Sequence, residues 1–403
     1  MNTILMENKK KLRVILNNFF LMGLCVLVLD AKASDFLLES EINARLTYDD
    51  NVNFPVADGE SSSIYMVTPK MKLNYLSDSW ETAMNASITG TTYSAQYQDQ
   101  IDSHLDLETS YKDNRSIYSI MAGYDKFSNR AADENIIGLT AEQTDTRKFT
   151  IAPEYTHLLT ERLSLSLAYS YSDVTYSPNL GSFLPYETQS AIGEMVYKLS
   201  QKSDLSLVLS AMDYTSENDI VEFQLLSSKA GIVHNFSEMI VGQFFAGVNT
   251  RDITTRSSQN FVFFGSTVTG TQAVETSGTG SIFEAGVDAK WIELNASRNV
   301  APNYTGGIEQ VDKVSAKLRM QVTPLIGLVL SLKRTEIDEL NDNVIDHSRL
   351  ITTVIPAINF SLTRDLSLRA EYISTEQKYD SLVQGVSKKS RFAINLKYNF
   401  PSI

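Results

Sequence analysis

The sequence predicts an all-β fold: a closed antiparallel transmembrane β-barrel of about 18 strands, with about 16 as the second choice. Three observations carry this. Apolar residues recur with a period of two along most of the chain, the connections between these runs alternate between short and long, and aromatic residues collect at the ends of the runs. Beyond the first thirty residues there is no uninterrupted apolar run of about 18 residues, so a membrane role falls to strands.

The elements follow in chain order. Lys9, Lys10, Lys11 and Arg13 precede an apolar run from Val14 to Leu29 and the tripeptide Ala31, Lys32, Ala33. That is the pattern of a secretory signal peptide cleaved after Ala33. Asn17 and Asn18 interrupt the run, which argues against a membrane anchor, and Leu24 before Cys25 argues against a lipoprotein. The expected organisation is therefore 1–33 signal peptide and 34–403 a single barrel domain. The mature chain of 370 residues has no cysteine, hence no disulfide, thiol nucleophile or thiolate metal site. It carries 30 Lys/Arg and 46 Asp/Glu, net −16, which speaks against a nucleic-acid partner.

The first alternating run sets Ile42, Ala44, Leu46 and Tyr48 against Glu41, Asn43, Arg45 and Thr47. The same period recurs from Val67 to Tyr75, Leu105 to Tyr111, Tyr118 to Tyr124, Phe149 to Tyr155, Leu163 to Tyr171 and Leu205 to Ala211. Later runs span Phe283 to Trp291, Val314 to Met320, Leu366 to Tyr372 and Phe392 to Phe400. Each suits a tilted strand of roughly ten residues crossing a bilayer, and an even count returns both termini to one side.

Short connections are expected at Ser77 to Ser79, Lys112 to Arg115, Leu159 to Arg162, Ser200 to Asp204, Ser237 to Glu238 and Thr363 to Asp365. Long polar ones are expected at Asp49 to Ser62, Ser128 to Thr146, Ser172 to Tyr186, Arg251 to Gly280, Asn299 to Gln310, Glu336 to Asp346 and Gln377 to Lys388. Short turns on the periplasmic side and long loops outside the cell are the outer-membrane arrangement. Pro69, Pro153 and Pro356 each sit mid-strand, and because proline lacks the ladder donor a bulge or a broken ladder bond is expected at each.

A soluble β-sandwich would also alternate. Against it stand two expected outward belts: Tyr75, Tyr111, Tyr155, Tyr197, Trp291, Phe360 and Tyr398 at the turn side, and Tyr48, Tyr93, Tyr124, Tyr171 and Tyr372 at the other. The opposite parity is polar, as in Lys313, Ser315, Lys317, Arg319 and Gln321. Finally, the closing strand ends on Tyr398 and Phe400, the kind of terminus that barrel assembly machinery reads, with Pro401, Ser402 and Ile403 following.

Catalytic signatures are missing: there is no Gly-x-Ser-x-Gly, His-Glu-x-x-His, Gly-x-x-x-x-Gly-Lys or Gly-x-Gly-x-x-Gly. No enzyme activity, cofactor or metal is expected. His104, beside Asp106, is the best-placed histidine, but a polar lumen residue is the simpler reading; His157, His234 and His347 are scattered. The acidic clusters Asp49, Asp50, Asn51 and Glu336, Asp338, Glu339, Asp342, Asp346 lack calcium-loop spacing and read as solvated loop carboxylates.

The segment Ala44 to Pro55, ARLTYDDNVNFP, with Tyr48, Asp49, Asp50 and Asn51, resembles the first strand and loop of the putative beta-barrel porin-2 family, the EpsL-like outer-membrane proteins associated with exopolysaccharide biosynthesis. Leu294 to Asn303, with Ser297 and Arg298, is similar to that family's late strand and loop. The resemblance implies an outer-membrane conduit for export of an exopolysaccharide, with a polysaccharide and periplasmic export components as partners beside outer-membrane lipid. A general small-solute porin, or a plugged barrel serving as a structural, adhesin or enzyme component, stays open.

Inward parity places a basic wall on the C-terminal strands, Lys313, Lys317, Arg319, Lys333, Arg369, Arg391 and Lys397, continued by Arg45, Lys70 and Lys72. It places an acidic wall elsewhere: Asp106, Glu108, Glu154, Glu194, Glu284 and Asp288. Such walls would set a transverse field across a water-filled lumen.

Overall fold

The computed structural model describes residues 36–52, 59–95, 99–128, 144–177, 183–217, 220–263, 266–302, 308–340, 348–379 and 386–402. The signal peptide expected over 1–33 lies outside them. Eighteen strands follow in order: β1 Phe36–Asp49, β2 Ser62–Leu76, β3 Trp80–Tyr93, β4 Gln100–Lys112, β5 Ser116–Ser128, β6 Asp145–Leu158, β7 Leu163–Ser177, β8 Tyr186–Lys198 and β9 Ser203–Ser216. Then come β10 Val221–Ser237, β11 Ile240–Phe263, β12 Ser266–Ala289, β13 Ile292–Pro302, β14 Ile308–Thr323, β15 Ile326–Glu339, β16 Arg349–Ser361, β17 Leu366–Tyr379 and β18 Val386–Asn399. Each pairs antiparallel with its sequence neighbours, and β18 returns to β1 from Glu41↔Asn399 to Asp49↔Arg391. The sheet is a closed barrel without an edge along that seam.

The turns explain themselves locally. Six short connections begin with a Ser or Thr whose hydroxyl oxygen accepts a backbone N–H two or three residues on: Ser77 from Trp80, Thr160 from Leu163, Ser200 from Lys202, Ser237 from Met239, Thr323 from Ile326 and Thr363 from Leu366. A side-chain acceptor at that position closes a tight turn without a further residue. Two short turns escaped the sequence reading, at Lys290–Trp291 and Pro324–Leu325, because apolar residues run straight through them.

The register fixes which face each residue takes. The outer face carries exposed aliphatics such as Leu46, Val67, Leu107, Leu209, Leu226, Leu318 and Leu396, which only a bilayer renders favourable on this scale. At the turn end an aromatic girdle forms: Phe36 lies 4.9 Å from Tyr75, and Trp80, Tyr111, Tyr118 and Tyr155 follow one another at centroid spacings of 5.0, 6.3 and 4.9 Å. Tyr48, Tyr124 and Tyr372 are exposed toward the loop end as expected. Tyr93 is not part of that belt. It pairs with Ile64 on the inner face, and its hydroxyl donates to Gln100 Oε1 at 3.3 Å.

The three prolines behave alike. At Pro69, Pro153 and Pro356 two residue pairs drop out of the ladder toward β3, β7 and β17 respectively, while pairing toward β1, β5 and β15 continues. The register is the same on both sides of each gap. The missing donor thus breaks ladder bonds without a bulge.

The segment Arg251 to Gly280, expected as a long loop, is a hairpin instead. β11 and β12 pair without interruption from Ile240↔Ala289 to Phe263↔Ser266. Its arms are rich in Thr, Ser and Val, and the sequence shows no sustained apolar alternation there. On its other side β12 pairs with β13 only from Phe283↔Arg298 to Asp288↔Glu293. Beyond that point β13 leaves the ladder, and Val300, with Ile308 of β14, packs into one buried cluster with the inward-facing Tyr214, Val221, Phe223 and Ile253. The end of β13 therefore lies against the inner face of β9–β11.

Candidate functional site in the barrel lumen

Register sets the sixteen charged residues of the two expected walls on one face of the sheet, opposite the exposed aliphatics. The inner parity runs through Arg45, Lys70 and Lys72 on β1 and β2, Asp106 and Glu108 on β4, Glu154 on β6, Glu194 on β8, and Glu284 and Asp288 on β12. It continues through Lys313, Lys317 and Arg319 on β14, Lys333 on β15, Arg369 on β17, and Arg391 and Lys397 on β18. Among the described residues, inward Lys and Arg outnumber inward Asp and Glu two to one on β14–β18, β1 and β2; across β3–β13 the ratio is reversed.

Neither wall is of one sign, however. Glu41 lies between Lys70 and Lys397 at 3.2 and 2.5 Å. Glu371, almost buried, bridges Arg45 and Arg369 at 2.7 and 2.8 Å, and Arg369 also donates to Asn359 at 3.2 Å. Arg319 is paired with Glu293. On the acidic side Lys229 of β10 reaches Glu284 at 3.2 Å. Glu41, Glu293, Glu371 and Lys229 carry the inward parity of their own strands, so sequence parity could have found them; their partners depend on cross-strand register. Among the described residues, Lys72, Lys313 and Lys317 of the basic wall make no ion pair.

The two ends of the lumen differ. Toward the turns, side chains such as Lys70, Lys397 and His104 are about half exposed and line a cavity of about 1200 Å³ with Glu39, Glu41, Lys72, Asn85 and Asp106. Toward the loops, inward residues from around the wall are nearly inaccessible: Thr47, Gln100, Tyr214, Asn249, Thr335 and Gln377. Among the described residues, lumen side chains are therefore more accessible toward the turn end, where the cavity forms a vestibule, than toward the loop end.

His104 is held between Asp106 and Asp125, one carboxylate on each ring nitrogen, while Asn85 Nδ2 donates to Asp106 at 2.6 Å. Both ring nitrogens are thereby occupied by carboxylates, and Ser87 of β3 is the cross-strand neighbour of His104 on the same face.

The cluster Asp49, Asp50, Asn51 is not a set of solvated loop carboxylates. Asp49 is buried, its Oδ2 3.1 Å from Lys389 Nζ and its Oδ1 accepting the Asn51 N–H at 3.0 Å. Asp50 accepts the Ser390 N–H at 2.7 Å and donates its own N–H to the Ser390 carbonyl at 3.1 Å. These residues fasten the first strand to the last, which accounts physically for a polar motif at that position. In the second cluster, Asp342 and Asp346 lie outside the described residues.

No family model and no curated protein matches the chain. Among solved structures it is similar to OccAB3 of Acinetobacter baumannii (TM-score 0.48, 10% identity, covering 92% of this chain and 100% of that one) and to OprD of Pseudomonas aeruginosa (TM-score 0.46, 10% identity, 93% and 98%). A third is the outer membrane channel DcaP of A. baumannii (TM-score 0.43, 12% identity, 92% and 99%). The likeness is one of barrel architecture and extends no further.

Proposed function

We propose that the protein is an outer-membrane channel, secreted through a signal peptide cleaved after Ala33, and that its passenger is an exopolysaccharide on its way out of the cell. The carrying observation is the lumen: a charged, sign-divided interior inside an aliphatic exterior, open at the turn end, which faces the periplasm in an outer-membrane barrel. The resemblance of Ala44 to Pro55 to the EpsL-like group supports the choice of passenger. A polymer delivered from the periplasm by export components enters the vestibule, where unpaired Lys72, Lys313 and Lys317 attract an acidic glycan and the opposite wall repels it. No step of this requires bond chemistry, and we read the protein as a conduit without enzymatic activity or cofactor.

The test combines two measurements. Deleting the gene should abolish surface polysaccharide, and the purified barrel should conduct ions in planar bilayers with selectivity that moves toward cations in Lys313→Glu/Lys317→Glu. Undiminished polysaccharide with a conducting barrel would make it a small-solute porin. Absence of conductance under all voltages, with polysaccharide intact, would refute the conduit.

A further inference from the structure

Where the end of β13 lies against the inner face of β9–β12 it covers a second cavity, of about 240 Å³. Its polar lining is Ser210, Ser227, Lys229, Asn249, Glu284 and Asn299, with Asn299 and Val300 as the cover from β13. Asn249 is 1% accessible, and neither its Oδ1 nor its Nδ2 has a hydrogen-bond partner. A buried amide left wholly unpaired points to a missing occupant. The glycine at 280 makes room for that amide, since a Cβ there would stand 3.1 Å from Asn249 Oδ1. The cavity's charges are already matched: Lys229 is 3.2 Å from Glu284 Oε2, and Gln243 donates to Oε1 at 2.9 Å. A charged occupant would have to break that pair, whereas a neutral one leaves it intact.

We propose that this cavity binds a single neutral sugar ring. Vicinal hydroxyls each offer a donor and an acceptor, the complement of an amide that presents one of each beside two serine hydroxyls. The ring's C–H face suits the apolar remainder of the lining, Ile282 and Val300 among it. The volume is several times that of one water, which takes about 30 Å³ in the liquid, and too small for a chain of sugars. The site rests on the export reading for the source of its ligand but not for its chemistry.

The experiment uses the full barrel in detergent micelles, with D-glucose and N-acetyl-D-glucosamine as probes and D-glucuronate as the charged comparison, followed by saturation-transfer NMR titration. Saturable binding of a neutral sugar is expected, with glucuronate weaker. Asn249→Leu removes both amide groups at similar size and should weaken binding about tenfold or more. Val300→Phe fills the cavity from the opposite wall and should do the same, and a heat-modifiable band on cold gels shows that each variant is folded. Equal affinity of both folded variants and the parent would overturn the site, as would tighter binding of glucuronate. No saturable binding to the parent would mean that the cavity holds water only, which also overturns it. Deletion that leaves surface polysaccharide unchanged, alongside glucose binding sensitive to Asn249→Leu, would sink the export reading while this site stands.

Discussion

Asp49→Ala tests the idea that the polar end of β1 locks the barrel shut. The substitution sets a methyl group opposite the Lys389 ammonium, which is 7% exposed, and it removes the carboxylate acceptor of the Asn51 N–H. Breaking a buried ion pair from one side costs about 3 to 5 kcal/mol, and a backbone N–H that loses a charged acceptor about 1.5 to 3 kcal/mol. The expected loss is therefore about 3 kcal/mol or more. The comparison is Lys397→Ala in the same seam, whose pair with Glu41 is 40% exposed on the lysine side and should cost no more than about 1 kcal/mol. Asp49→Ala/Lys389→Met removes the buried ammonium together with its carboxylate and should recover part of the loss. Equilibrium urea unfolding in phospholipid vesicles reads all four proteins. Trp80 and Trp291, the two tryptophans of the chain, both lie exposed on the outer face and report loss of the lipid environment. A shift for Asp49→Ala no larger than for Lys397→Ala, or a double variant no more stable than the single one, would refute the reasoning.

Pro356→Val supplies the donor that β16 lacks toward β17 and should raise the unfolding free energy by about 0.5 to 1.5 kcal/mol, read as a higher urea midpoint; an unchanged or lower midpoint would trace the ladder gap to something other than the missing N–H. Phe400 donates its N–H to Ser40 at 2.9 Å and packs its ring 5.0 Å from Tyr398, so Phe400→Asp should lower the yield of heat-modifiable barrel in cells, and full yield would show that the terminal aromatic is not what the assembly machinery reads. Single cysteines at Lys388, 74% exposed at the loop end, and at Asp78, in a short turn, should differ on intact cells, an impermeant thiol reagent labelling only the first; the reverse pattern would invert the topology.

Much of this protein is written in a period of two. A strand presents alternate residues to alternate faces, so the parity of Lys313, Lys317 and Arg319, or of Asp106 and Glu108, is a local property, and register carries that shared parity from strand to strand. Turn chemistry is equally local: a Ser or Thr hydroxyl two or three residues before the returning strand suffices, and most short turns were legible for that reason. Where local signals were silent the reading failed. The extension of β11 and β12 is rich in Thr and Ser and shows no sustained apolar alternation, and Tyr93 follows a run of small and polar residues whose parity is ambiguous.

Tertiary structure alone decided who meets whom. Cross-strand register sets Glu371 between Arg45 and Arg369 across 326 residues of sequence, turning part of an expected basic wall into paired charge. Closure brings Asp49 to Lys389, so carboxylates that read as solvated become a buried fastening. The departure of β13 from β12 buries Asn249 behind Val300, although nothing in either segment announces it. Parity is dictated by the geometry of one strand, but partnership requires the shear and closure of the whole sheet, which no short stretch of sequence contains.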